Sequence, residues 1–316
     1  MTTADAAAGG FIRAAEIWLP SRDRMQLEHA GGWYGSAPQL AQVSRDMVFG
    51  RGEGLPGRAW ATAAPVVLHG FDPSTFKRTP AALADGLTCG IALPIFCADY
   101  LMAVLVFFCS DQGEQAGAIE VWHTDPRIGP DMGLEDGHYG RTAETFEYLS
   151  RRTRFRHGTG LPGLAWAARA PVLMPDLGRA AGFMRGDSAQ RVGINRGLAM
   201  PCATPGPDLY VITWLSALGT PIARRLEVWQ PDAEQAALRL QAGFCEHAGT
   251  LAPAPDAAVQ RGEGALGRCW LTGLPTLGTA AAEGPGPASG VPGLASVLAF
   301  PVLDQGRFVA AVAMYF

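Results

Sequence analysis

The chain has 316 residues, of which 48% are apolar and 17% charged, and its net charge is −4. The apolar fraction is enough for packed cores and excludes wholesale disorder, while the acidic balance gives no basic footprint for nucleic acid. Forty glycines and 24 prolines suit short strands joined by many turns, and Lys77 is the sole lysine, so arginine carries the positive charge.

The first ten residues have no basic region and no apolar core, and therefore do not read as a secretion signal. The longest apolar run, 100–109, is far shorter than the about 20 residues a membrane helix needs. These features predict a soluble, cytoplasmic protein with no membrane partner. In that setting Cys89, Cys97, Cys109, Cys202, Cys245 and Cys269 are expected to be reduced and mostly buried.

In chain order, Ala15-Glu-Ile-Trp18 reads as a first strand and residues 25–35 as its hairpin partner. Residues 38–49 have helical spacing. A Gly-rich decapeptide, Arg51 to Trp60, follows and leads into a helix, then a short strand at Pro65-Val-Val-Leu68. A loop with Phe71 and Phe76, a helix near 81–84, and two strands at 88–96 and 101–108 complete the round. The same order returns from Ile119-Glu-Val-Trp122, through 132–140, a helix at 143–149, the decapeptide His157 to Trp166, Pro171-Val-Leu-Met174 and a helix at 187–192, to strands at 193–201 and 209–217. A third round runs from Leu226-Glu-Val-Trp229 through 238–247 and the decapeptide Arg261 to Trp270. It ends in strands at 296–303 and 308–316, and residues 280–293 stand where the aromatic loop was.

The decapeptides recur about 105 residues apart, beyond the roughly 20–50 of solenoid repeats, so they mark whole domains. Three units are therefore expected, at 1–114, 115–224 and 225–316. Two hairpins with helices between them predict an α+β unit, an antiparallel sheet with helices to one side. The decapeptide glycines are Gly52, Gly54 and Gly57, Gly158, Gly160 and Gly163, and Gly262, Gly264 and Gly267. They fit a dinucleotide fingerprint literally, but that motif needs a preceding strand, and here a helix precedes it and Pro56 removes a backbone amide. The structural reading assigns the glycines to a tight turn and Trp60, Trp166 and Trp270 to anchoring the helix in the core.

Gly-Glu-Gly-Leu-Pro-Gly-Arg-Ala-Trp, the following Pro-Val, the variable loop and the Gly-Ile-Ala-Leu-Pro-Ile-Phe hairpin together resemble the GAF family, over almost the whole chain. The second unit resembles it most, through 158–166, Pro171-Val-Leu, Phe183-Met-Arg185 and 193–201. The resemblance implies a small-molecule pocket between the sheet and the helices and loop after the signature, or a homodimerisation role. Nothing in the chain reads as an output module, so a sensor would signal through a separate partner. In the second unit the implied pocket holds Phe183, Arg185 and Arg196, with Trp166 and Trp214 near. An arginine among aromatics can hold a carboxylate or a nitrate-like anion. In the first unit the loop offers His69, Phe71, Phe76, Lys77 and Arg78, whereas the third unit reads as structural.

The enzymatic branch of the resemblance, free-methionine sulfoxide reductase, requires a low-pKa cysteine with a resolving partner. Cys89 is the candidate, displaced from the place that the family's catalytic cysteine takes. His29, His138 and the Cys245-Glu-His247 run occupy similar places in the second strands, but no CxxC or HxxxH spacing is present, so no metal is predicted. No cofactor is identified. The leading expectation is a ligand-binding regulatory protein without catalysis, the alternatives being a thiol enzyme and a non-binding scaffold.

Overall fold

Alternating strands and Gly-rich turns build three antiparallel sheets in the computed structural model, which describes residues 10–111, 116–140, 144–178, 183–217, 219–253, 257–280 and 293–316. The N-terminal tail, the 114/115 boundary, the start of the helix expected at 143 and most of segment 280–293 lie outside those residues. The class is α+β, as expected.

The first sheet comprises β1 (Ile12–Pro20), β2 (Gln26–Trp33), β3 (Val48–Gly50), β4 (Val66–His69), β5 (Cys89–Cys97) and β6 (Tyr100–Cys109), with α1 (Pro38–Ser44), α2 (Gly54–Thr62) and α3 (Thr79–Ala84) between them. The second comprises β7 (Ala116–Thr124), β8 (Met132–Gly140), β9 (Arg154–Phe155), β10 (Val172–Met174), β11 (Ile194–Ala203) and β12 (Leu209–Ala217), with α4 (Glu144–Arg152), α5 (Gly160–Ala168) and α6 (Gly186–Arg191). The third comprises β13 (Arg225–Pro231), β14 (Leu238–Cys245), β15 (Gly249–Leu251), β16 (Ala258–Val259), β17 (Thr276–Thr279), β18 (Ser296–Asp304) and β19 (Arg307–Tyr315), with α7 (Gly264–Thr272). The first runs β3-β2-β1-β6-β5-β4, the second is its counterpart, and the third follows the same path with β16 added beside β14. In each, the first strand pairs with the last (β1 with β6, β7 with β12, β13 with β19), which joins two local hairpins into one sheet.

The signature forms the same turn three times. Gly52 N donates to Gly57 O at 2.7 Å, Gly158 N to Gly163 O at 2.9 Å, and Gly262 N to Gly267 O at 2.8 Å. The third glycine of each is compulsory, since a Cβ on Gly57, Gly163 or Gly267 would stand 2.1, 2.3 or 2.1 Å from a backbone carbonyl oxygen. The helix that follows packs its apolar side on the sheet. Trp270 is buried as expected, but Trp60 and Trp166 are only half-buried.

Two kinds of core result. Each unit has its own between sheet and helices. The opposite sheet faces, which an antiparallel sheet commonly leaves in water, pack against one another in a shared core. Phe107 of β6, Trp214 of β12 and Phe300 of β18 meet there with ring centroids 6.2–6.3 Å apart. The prolines Pro94, Pro201 and Pro301 line a gap of about 20 Å³ nearby, room for no more than a water. Burial on both faces explains why β6 reads as an almost unbroken apolar run.

Candidate functional site

The first strand of every unit carries Glu-x-Trp: Glu16-Ile-Trp18, Glu120-Val-Trp122 and Glu227-Val-Trp229. Residues two apart on a strand share a face, so both side chains enter the core under the helices. A register shift falls at the tryptophan each time, where the second strand carries one extra residue (Ala30, Glu135 and Gln241). The indole Nε1 donates to the glutamate at 2.9, 3.1 and 2.9 Å. A tyrosine hydroxyl does the same: Tyr34 and Tyr139 at 3.1 Å, and Tyr315 at 2.9 Å. The glutamates are 0, 0 and 1% exposed, so each charge needs a partner.

That partner is an arginine. Arg78, just before α3, donates to Glu16 and to Ser44, each at 2.5 Å. Arg185, just before α6, donates to Glu120 at 2.5 and 2.9 Å and also reaches Ser150. In the third unit Arg225, on β13 itself, donates through Nε to Glu227 at 2.6 Å. The guanidinium of Arg78 lies 5.2–5.5 Å from the rings of Trp18, Phe49, Phe76 and Phe108. That of Arg185 lies 5.0–5.7 Å from Trp122, Phe146, Phe155 and Phe183. Nε and Nη2 of Arg78 and Nε of Arg185 have no hydrogen-bond partner among the described residues, so cation–π attraction stands in for acceptors there. Burial opposes ionisation of Glu120, but the Arg185 charge and the hydrogen bonds to it prevail and hold its carboxyl below the ordinary range. Burial, then the neighbouring glutamate, pushes the Tyr34 and Tyr139 phenols up. The space between sheet and helices is thus filled by the chain's own ion pair.

The sequence-predicted residues separate accordingly. Phe183 and Arg185 converge beneath a groove of about 440 Å³ bordered by Leu149, Thr153, Asp187 and Gln190. Phe71 and Phe76 pack with ring centroids 4.3 Å apart and planes tilted by 33° in the equivalent place of the first unit. Arg196 and Trp214 leave the sheet on its other face. Arg196 is ion-paired with Glu246 of the third unit, its guanidinium 4.1 Å above Phe244, and burial lowers its pKa to about 10. Trp214 joins the shared core. Trp166 packs against His157 and edges a shallow groove at 126–130. Lys77 is exposed and paired with Glu53.

A larger cleft of about 510 Å³ opens between the first and third units where the end of the second, 221–224, joins them, lined by Arg13, Trp33, Ser36, Ile222, Arg224 and Phe316 among others. Trp33 and Phe316 stack there at 3.9 Å and 14°. Arg13 donates to Ser36 at 3.4 Å and Arg224 to the Gly293 carbonyl at 3.3 Å. No sequence signal marks this cleft, since its walls come from 10–36, 221–224 and 293–316, which only packing brings together.

Cys89 begins β5 directly opposite His69, the last residue of β4, and His138 of β8 faces both across the junction of the first two units. Their donor atoms all lie within 4.8 Å of one another. Burial pushes the Cys89 thiol well up and lowers His138 to about 4. A thiol held this far from ionisation is poorly suited to nucleophilic or redox chemistry. The Cys109, Cys202 and Cys269 thiols are likewise raised by burial, Cys202 to about 12.

No protein-family model and no curated protein matches the chain. Solved structures similar to part of it include free methionine-R-sulfoxide reductase from Neisseria meningitidis with its substrate, at 18% identity over 31% of this chain and 51% of that one, TM-score 0.24. NreA from Staphylococcus aureus, mutated in its nitrate binding site, is 19% identical over 32% and 73%, TM-score 0.27. The GAF domain of Nlh2 from A. aeolicus, in an inactive state, is 21% identical over 31% and 58%, TM-score 0.26. Each match covers about a third of the chain, the length of one unit. It spans about half of the reductase.

Proposed function

We propose that the chain is a small-molecule-binding regulatory protein of tandem GAF-like units, acting by binding rather than turnover, with its ligand in the cleft between the first and third units. The observation that carries this reading is the stacked Trp33–Phe316 pair beside Arg13 and Arg224. The aromatic pair suits a flat apolar group, and the arginines suit a carboxylate or other oxyanion. The helix–sheet pockets favour this location, because Arg78 and Arg185 already occupy them. Binding across two units biases their relative arrangement, which is what a partner protein would read. Burial of Cys89 argues against thiol chemistry.

The test is a thermal-shift and Trp-fluorescence screen with aromatic carboxylates, nitrate and methionine sulfoxide on wild type and Trp33→Ala. A ligand at a hundred times its dissociation constant adds about 2.7 kcal/mol of stability. The expected outcome is a shift that Trp33→Ala abolishes. If no compound shifts the folded protein, the scaffold reading, favoured by the self-filled pockets, replaces this one. Turnover of methionine sulfoxide, lost in Cys89→Ser, would establish the enzyme instead.

A further inference from the structure

We propose that His69, Cys89 and His138 form a binding site for a divalent transition-metal ion, zinc above all, that ties the first unit to the second. The site stands apart from the ligand cleft and does not depend on it.

Three observations support it. The donor set is two imidazoles and one thiol, which zinc prefers over the oxygen-only sets of magnesium or calcium. The three donor atoms lie within 4.8 Å of one another. A tetrahedral zinc ion, with Zn–N about 2.0–2.1 Å and Zn–S about 2.3 Å, sets its donors roughly 3.3–3.8 Å apart, so small side-chain rotations close the gap. His138, independently, is 3% exposed and its Nε2 has no hydrogen-bond partner among the described residues. A buried ring nitrogen that makes no hydrogen bond, with its nearest carboxylate 3.5 Å away, is costly beside a buried thiol unless something accepts its lone pair or its proton.

The surroundings fit the same purpose. Phe11 packs its ring 5.4 Å from the His138 ring and limits its rotation. Asp136 bonds His69 Nε2 at 3.2 Å, and Asp111 lies 3.5 Å from His138 Nε2. Asp136 is placed to back a metal-bound His69 through its other ring nitrogen, while Asp111, beside the His138 Nε2 itself, is placed to turn inward as an oxygen ligand. The fourth position is filled by Asp111 or by water. On binding, the Cys89 sulfur loses its proton to solvent and coordinates as thiolate, with no change of oxidation state at either partner. The ligands come from β4, β5 and β8, so the ion bridges two sheets, adding to the packing and the few polar contacts already between them. No sequence spacing announces it, because His69 and Cys89 meet by strand pairing and His138 lies in the next repeat.

The experiment uses the full chain stripped with a chelator and then titrated with Zn²⁺ against a chromophoric competitor. The expected result is one equivalent bound, with an affinity reduced at least about 100-fold in His69→Ala, Cys89→Ser and His138→Ala and unchanged in Cys97→Ser. Co²⁺ substitution is expected to show the visible bands of a tetrahedral ion and a thiolate charge-transfer band that disappears in Cys89→Ser. His69 is half-exposed, so His69→Ala keeps the fold and stays decisive even if His138→Ala unfolds. A folded apoprotein that takes up no stoichiometric metal, or binding that survives both His69→Ala and Cys89→Ser, overturns the proposal.

Discussion

Replacing Arg185 by Met removes the cation from the second unit's core while keeping much of its volume. Glu120 would then remain fully buried, with neutral donors from Trp122, Tyr139 and Thr213 and no positive charge. Breaking a buried pair by removing one partner costs about 3–5 kcal/mol. At roughly 2–4 °C per kcal/mol for a protein of this size class, the melting temperature falls by about 6–20 °C. Replacing both partners, as Glu120→Gln/Arg185→Met, restores most of the loss, because the uncompensated charge is gone. The assay is thermal and urea unfolding, followed by circular dichroism, of wild type, both single variants and the double variant. The pH dependence adds a sign. In wild type the Glu120 carboxyl is held below its ordinary 4.5, so its stabilisation is present above that pH and is lost as pH falls through the folded value. Without Arg185, burial outweighs the remaining neutral hydrogen bonds and raises the carboxyl, so the variant gains stability relative to wild type as pH falls from 7 toward 5. An Arg185→Met protein within about 1 kcal/mol of wild type, or a double variant no more stable than it, would refute the ion-pair account.

Three further outcomes follow from the same structure. Gly163→Ala is expected to cost about 3 kcal/mol or more by urea unfolding, since its Cβ meets the Arg156 carbonyl at 2.3 Å, whereas Gly158→Ala, at φ +77° with only an ordinary contact to the Ala167 Cβ at 4.0 Å, costs only about 1–2 kcal/mol; equal costs would discredit the turn geometry. The Trp214 indole N–H lacks an acceptor among the described residues, while that of Trp122 donates to Glu120. Trp122→Phe should therefore be more destabilising than Trp214→Phe by about 1–3 kcal/mol in parallel melts, and the reverse order would contradict these assignments. In native protein treated with iodoacetamide, mass spectrometry should find Cys97, the half-buried thiol, labelled first, with Cys89, Cys109, Cys202 and Cys269 protected; early labelling of Cys89 would contradict its burial.

Much of the fold was legible because its signals are local. A Gly-rich turn recurs where a Cβ has no room, Glu-x-Trp recurs on each first strand, and tight hairpins separate apolar runs, so the element order and the local hairpins were legible, whereas the pairing of first strand with last was not. The candidate site was less legible. Phe183 and Arg185 are near neighbours in sequence and did converge. Arg196 and Trp214 were placed with them although strand alternation and a register shift at Ile194/Arg196 send both side chains through the opposite face. The matching Glu-Val-Trp and Glu-Ile-Trp stretches were visible, yet nothing local distinguishes a glutamate that is half-solvated from one that meets an arginine 62 or 65 residues away.

By itself, then, the sequence determined three α+β units and the turns that punctuate them, since backbone sterics and the two-residue strand period act over a few residues. Only the tertiary structure decided that the sheets bury their second faces against each other, that Arg78 and Arg185 close their own pockets, and that the first unit meets the third at Trp33–Phe316 and the second at His69, Cys89 and His138. Those are packing outcomes between residues distant in the chain, set by which apolar faces and buried charges find partners.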